Sequence, residues 1–428
     1  MSATADLLAF AGANHRLPDS VRQSALRLLA DTLAVGAAGV NAPGEAAINA
    51  AAKSFGSGCE ARLLGTANRL PAPSAAFVNG YRIHCLEWDA VHEPAVVHAM
   101  SVVVAALGAA IDRRGGCDPD EALVALVIGI DVAAGLGLAA DTPLTFFRPA
   151  TAGVIGAALA VARMDGAPPA DALGIAYSSA GGTMQAHVEG LETLPFQIAN
   201  AARAAVVASD LAGAGFAGPK DALDGPFGYF ALFDGGDLSR YTATLGERWL
   251  ISEVSVKPFP SGRASHAALG ALQAARLDPD TISKIELVCP PLIHRLVGRP
   301  YKVDMTPSYA RLCLSWLAAL MLLDGRIDPR RFASKEMADQ TKAALAAKIS
   351  LVADGNIDPN ALFPQELRVT LSDGSTQINA IEHTLGSPAN PLDEEQERAK
   401  YDFARQLAPT DADQRIFDDP LPYFTDPR

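Results

Sequence analysis

For about 240 residues from its N-terminus the chain repeats one pattern: Ala, Leu and Val at helical spacing, broken by Gly and Pro. Apolar residues recurring every three to four positions put a stripe on one helix face, and that stripe must be buried. Residues 20–39 are typical. Val21, Ala25, Leu28, Leu29, Thr32 and Leu33 form the stripe, Pro18 precedes it, and Gly36 and Gly39 close it. The same spacing predicts helices over 45–54, 75–84, 100–112, 119–138, 152–164, 170–179 and 198–212. So many small residues let helices approach closely, which predicts a compact helical bundle.

The pattern changes near residue 250. Ile285, Leu287 and Cys289 alternate with Lys284 and Glu286, which predicts a strand over 282–289. Leu367, Val369 and Leu371 alternate too. They are followed by the turn signal Ser372-Asp373-Gly374-Ser375 and a second strand over 377–382. Helices are predicted at 309–323 and 334–348, so this segment reads as a smaller α+β unit. Helical character returns at 393–406, where Asp393 and Gln396 have capping-box spacing. The fold class expected is mainly α, a large all-helical domain plus a smaller α+β domain.

Composition narrows the function. The 428 residues are 49% hydrophobic and 19% charged, with a net charge of −13. Nucleic acid and anionic membrane surfaces are poor partners for such a chain, since both are bound through clustered Lys and Arg. A small anionic substrate remains open, because a few basic side chains in a cleft set the local field. The five cysteines, Cys59, Cys85, Cys117, Cys289 and Cys313, are odd in number, scattered and without a C-x-x-C pair. That argues against a zinc ribbon or disulfide framework and for a reducing cytoplasm. Residues 1–11 carry Asp6 and no basic run, so no secretory signal is read there. The apolar stretch 122–140 is interrupted by Asp131 and reads as a core helix rather than a membrane span.

Chemistry concentrates in the segment from His84 to His98. His84, His92 and His98 share it with Glu87, Asp89 and Glu93, although the whole chain holds 8 His. It follows one apolar helix and precedes another, so it reads as a helix end plus loop, where catalytic groups tend to sit. Three readings compete. The residue types suit a metal, but no H-E-x-x-H spacing is present and no metal is expected. A solvated polar loop would need no function. Acid–base catalysis fits best, because a carboxylate beside a histidine sets its tautomer and tunes its pKa. Cys85 lies in the same segment as a possible nucleophile, with a small buried side chain the plainer reading.

A second segment, Lys257-Pro258-Phe259-Pro260-Ser261-Gly262-Arg263-Ala264-Ser265-His266, presents Lys, Arg and His just before a helix expected near residue 267. Such donors suit a carboxylate, which Arg can bind through two parallel hydrogen bonds. A basic surface loop is the alternative. Gly213 to Gly218 matches G-x-G-x-x-G, but it follows an Ala-rich helix rather than a strand, so dinucleotide binding is not expected.

Together these segments resemble the MmgE/PrpD family, whose members include dehydratases, decarboxylases and epimerases of small polycarboxylic acids. The likeness rests on Ala76-Phe77-Val78-Asn79-Gly80 leading into 84–98, on 257–266, and on Leu314-Ser315-Trp316 through Asp324-Gly325. Phe363-Pro364, Ser372-Asp373-Gly374, Gly386-Ser387-Pro388 and Asn390-Pro391-Leu392 complete it. The resemblance implies an all-helical domain over 1–250 and 386–428, an α+β lid over 251–385, and a site in the cleft between them. It also implies a homodimer that needs no cofactor. Glu87, Asp89, His98, Lys257 and His266 fall on family positions and are the catalytic candidates. His84, His92, Arg148 and Arg263 are the candidates for holding substrate. Two positions depart from the family pattern. Phe147 or Arg148 stands where a His is usual before Thr151-Ala152-Gly153, and Leu194 or Gln197 where a Lys is usual before Ala201-Ala202-Arg203. Arg148 is a candidate to replace the missing charge.

The expected chemistry is proton abstraction next to a carboxylate, leading to dehydration of a small polycarboxylic acid. Asp89, Glu87, His98 and His266 are the acid–base candidates, with Lys257 and Arg263 holding carboxylates. Epimerisation or decarboxylation shares the same first problem, stabilising carbanion charge. A non-catalytic relative that merely binds a small acid is the reading from a different class.

Overall fold

The computed structural model describes residues 2–358 and 360–428. Helices of ten residues or more are numbered α1 (Ala3–Gly12), α2 (Asp19–Ala38), α3 (Glu45–Ser54), α4 (Ala72–His84), α5 (Ala99–Arg114), α6 (Pro119–Ala139), α7 (Gly153–Asp165), α8 (Pro169–Ser178), α9 (Thr193–Gly213), α10 (His266–Ala275), α11 (Leu314–Asp324) and α12 (Glu394–Leu407).

The apolar stripes of the first half meet in one core. α4 packs against α5 and α9, and α7 packs against α5, α6 and α9. Small residues set the spacing: a Cβ added at Gly156 would fall 2.1 Å from the Gly129 carbonyl oxygen, so α6 and α7 touch backbone to backbone. α6 is long and apolar enough to cross a membrane, yet it lies inside this core. Its Asp131 is buried and accepts hydrogen bonds from the backbone N–H groups of Leu250 and Ile251. Burial pushes the Asp131 carboxyl up to about 7.

The tail returns to the same core. α12 starts in the expected capping box, Asp393 with Gln396, and packs on α2. Ala404, Ile416, Tyr423 and Phe424 join the helical core. Lys400 of α12 is buried, paired with Asp31 of α2 at 2.5 Å, and its ammonium lies 5.4 Å from the centre of the Trp88 ring.

A second core forms on a four-stranded sheet of β1 (Ile282–Cys289), β2 (Ile349–Ala353), β3 (Gln365–Leu371) and β4 (Thr376–Ile381), in the order β2-β1-β3-β4. β2 runs parallel to β1, and the other pairs are antiparallel. Ile285 pairs with Val369 and Leu287 with Leu367, so the alternation read in both segments lies on one buried face. Leu269 of α10 and Trp316 and Leu320 of α11 join that core.

Two expectations fail here. The helix expected over 309–323 is broken at Cys313, whose backbone is extended, into Pro307–Ala310 and α11. The helix expected over 334–348 is Ser334–Met337 plus Gln340–Ala346, because Asp339 caps a new start by accepting from the N–H groups of Thr341 and Lys342. β2 follows at once and was not anticipated. α1 was also missed; it is one short helix without a strong stripe.

Candidate active site

The two chemistry-bearing segments meet. α4 ends at His84, and the chain turns through Glu87, whose φ of 54° stops the helix as its N–H donates to the His84 carbonyl. The loop then pairs with the chain just before the second segment: Val91 and Ser255 exchange N–H···O=C bonds of 3.0 and 2.8 Å. A tight turn follows. His92 and Val97 pair across it, and Val96 sits at φ 53°, an uncommon conformation for a β-branched residue. His98 then stands immediately before α5, its side chain turned to Asp89 rather than to the helix N–H groups.

Asp89 is the hub of this loop. It is fully buried, and its carboxylate accepts from His84 Nδ1 at 3.0 Å, from His98 Nδ1 at 3.0 Å and from the Ser101 hydroxyl. A carboxylate has only lone pairs to offer, so both Nδ1 atoms carry the protons. Burial opposes the charge on Asp89, but His84 and His98 hold its carboxyl well below the usual range. Glu87 is the second anion. Lys257 is buried and donates to the Glu87 carbonyl at 2.9 Å and to its Oε2 at 3.2 Å. Burial would raise Glu87, yet Lys257, then His84 and His98, bring it to about 2.

The two histidines on Asp89 differ. Burial works against charge on His84, but Asp89 and Glu87 outweigh it and its pKa is raised; its Nε2 lies 3.5 Å from Glu87. His98 is lowered, because burial and the nearby Lys257 and His84 charges outweigh the pull of Asp89. The two shifts run in opposite directions: the carboxylates hold His84 toward its charged form, and burial holds His98 toward its neutral one. With Nδ1–H of His98 held by Asp89, Nε2 carries the lone pair. His84, Asp89 and His98 also offer ligand atoms within 4.8 Å of one another, a spacing a metal would accept. Their contacts to one another and to Ser101 are those of an acid–base network.

A cavity of about 90 Å³ lies against this network, between the two cores. Glu87, His98, Arg148 and Arg263 reach its wall, as do Glu93, His187, Gln365 and Thr384. Other expected site residues lie behind it. Asp89, His84 and Lys257 support the wall without forming it. His266 is a correction: it is fully buried, its Nε2 is 3.1 Å from the Ser261 hydroxyl and its Nδ1 is 3.4 Å from Arg263. Burial and the adjacent Arg263 push its pKa well down, so it is a neutral support for Arg263 rather than a group facing substrate. His92 is a second correction. It is fully buried, and its Nδ1 accepts from the Ala95 N–H of its own turn. Arg148 reaches the wall, but its guanidinium is held by Asp234 at 3.0 Å and by the Thr142 carbonyl at 2.8 Å. Its charge is spent and does not replace a missing one. Cys85 is buried and burial pushes its thiol up to about 12, which removes it as a nucleophile.

His187 was missed. It sits alone in Gln185–Glu189, without the run of several histidines and acids that marks 84–98. Arg299 donates to its carbonyl at 2.7 Å, and burial, then Arg299, bring its pKa to about 4. Arg263 bridges the segments by pairing with Glu93 at 2.8 Å.

The comparisons with known proteins agree with this layout. Residues 9–241 match the MmgE/PrpD N-terminal domain, and residues 259–419 match the MmgE/PrpD C-terminal domain. The chain is similar to cis-aconitate decarboxylase of Homo sapiens, 29% identical over 407 residues that cover 90% of this chain and 83% of that one. The Mus musculus cis-aconitate decarboxylase is 28% identical, covering 91% of this chain and 83% of its own. A cis-aconitate decarboxylase-like protein, oryM, of Aspergillus oryzae is 26% identical over 92% of this chain and 87% of that one.

Proposed function

The chain belongs to the MmgE/PrpD family, and from that premise we propose that it is a lyase acting on a small polycarboxylic acid, with His98 moving the proton at the carbon next to a carboxylate. The observation that carries this reading is His98 on the cavity wall, held from behind by Asp89. Asp89 fixes the Nδ1–H tautomer and leaves Nε2 as the base. A lowered pKa keeps that base unprotonated near neutral pH. Proton abstraction places negative charge on the substrate carboxyl group as an enediolate. Arg263 is the wall cation nearest in role to a stabiliser of that charge. Loss of a β-hydroxyl then gives the alkene, with the proton on His98 available to the leaving oxygen.

Decarboxylation is the second reading, and the names of the relatives favour it. There the bond to CO2 breaks first, and His98 in its protonated form delivers a proton to the carbanion. Incubating the protein with citrate-like hydroxy acids and with cis-aconitate, followed by NMR of the products and detection of CO2, distinguishes the two. The lyase reading expects one acid to lose water or CO2, and His98→Gln to stop it with the fold intact by circular dichroism. Equal turnover by the variant would overturn the role given to His98.

A further inference from the structure

We propose that the acid accepted by this cavity has two carboxylates and a hydrocarbon arm, and that Phe147 and Leu194 select that arm. The inference rests on the lyase reading of the same site and narrows its substrate. Two observations carry it.

The first is charge. The wall holds two cations and two carboxylates. Arg148 is neutralised by Asp234, with both Nε and Nη2 engaged by that carboxylate. Arg263 faces Glu93. Lys257, behind the wall, is committed to Glu87. His187 is neutral near pH 7. Among the described residues, each cation lining this wall has a carboxylate partner, and Arg299, behind His187, is turned to the His187 carbonyl and the Tyr309 ring, so an additional substrate carboxylate meets no free cation at the wall itself. Arg263 can still present part of its guanidinium to one carboxylate, and the neutral donors His187 and Thr384 suit a second. Among the described residues the wall offers no cation for a third, and the Gln365 amide donates to the Leu362 carbonyl.

The second is the shape of the apolar lining. Leu144, Phe147, Leu194, Ile293 and Leu296 line the cavity as hydrocarbon. Phe147 is 6% exposed and its ring centre lies 5.9 Å from that of His84, so the apolar face begins beside the acid–base network. A carboxylate pressed against that face loses its water and gains no partner, whereas an alkyl group gains burial.

The test is binding, read separately from turnover. Calorimetry at pH 7 compares cis-aconitate, which has three carboxylates, with ethylmaleate, the same skeleton with the arm's carboxylate replaced by methyl. The proposal expects ethylmaleate to bind tighter by about tenfold or more, the discrimination a hydrophobic pocket achieves. Leu194→Lys, which adds a cation at the apolar face, should narrow or reverse that order, with Leu194→Met leaving it in place. Equal or tighter binding of cis-aconitate by the unaltered protein overturns the proposal and does not depend on any variant folding. In that case the lyase reading stands if an acid is turned over through His98. Turnover that survives His98→Gln removes the role of His98, and loss of neither water nor CO2 from any acid sinks the lyase reading, each leaving the binding order intact.

Discussion

At the scale of single residues, the account turns on which of two histidines sharing one carboxylate is charged. His84 lies between Asp89 and Glu87 and is raised; His98 is hydrogen-bonded to Asp89 but buried beside the Lys257 and His84 charges, and is lowered. A base must be neutral to accept a proton, so activity is present above the folded pKa of His98 and lost as pH falls through it. The acid limb of kcat/KM is therefore expected below 6.5, and a limb at or above 6.5 would contradict the assignment. His98→Gln should lower kcat by about 10²–10⁴-fold, the usual worth of general acid–base catalysis. Asp89→Asn should also lower kcat and should move the acid limb, because an amide no longer favours charge on His98. Glu87 gives a stability prediction of its own. Its folded pKa of about 2 is below its ordinary 4.5, so its contribution is full above 4.5 and is lost as pH falls toward 2. Urea unfolding at stepwise lower pH should show Glu87→Gln losing less stability across that window than the parent.

At the scale of elements, the site loop is held from outside by α12. Lys400 pairs with buried Asp31 and reaches the Trp88 carbonyl at 3.4 Å, one residue from Asp89. Lys400→Met leaves Asp31 buried and unpaired, at a cost of about 3–5 kcal/mol. Asp31→Asn together with Lys400→Met should recover most of it, and denaturant titration of the pair checks the coupling. The helices of this lobe were legible from their stripes because burial on one side writes a period into the sequence. β1, β3 and β4 were legible from alternation and the Ser372–Ser375 turn. β2 was not, since Ile-Ser-Leu-Val-Ala follows a helical run directly and its partner, β1, is over sixty residues away. The loop from His84 to His98 could be picked out because its histidines and acids cluster in sequence. His187 could not, since only folding brings it to the cavity. His92 and His266 show the converse: the right residue type in the right segment, turned into the backbone rather than toward the cavity.

At the scale of the molecule, the cavity exists only because two cores close on it. Val91–Ser255 pairing, Lys257 on Glu87 and Arg263 on Glu93 join the segments that line it. A bound acid should therefore slow amide exchange in both 85–98 and 258–266, and protection of one segment alone would contradict a shared site. Glu93→Gln frees Arg263 from its internal partner, and tighter binding of an anionic acid, with a lower KM, is the expected result. The most direct test of the central claim is made in D2O. Given the unsaturated acid, the unaltered protein should place solvent deuterium on the carbon next to the carboxylate, through hydration or through decarboxylation, and His98→Gln, equally folded, should place none. Deuterium incorporation by the variant at the parent's rate would mean that the proton moves through some other group.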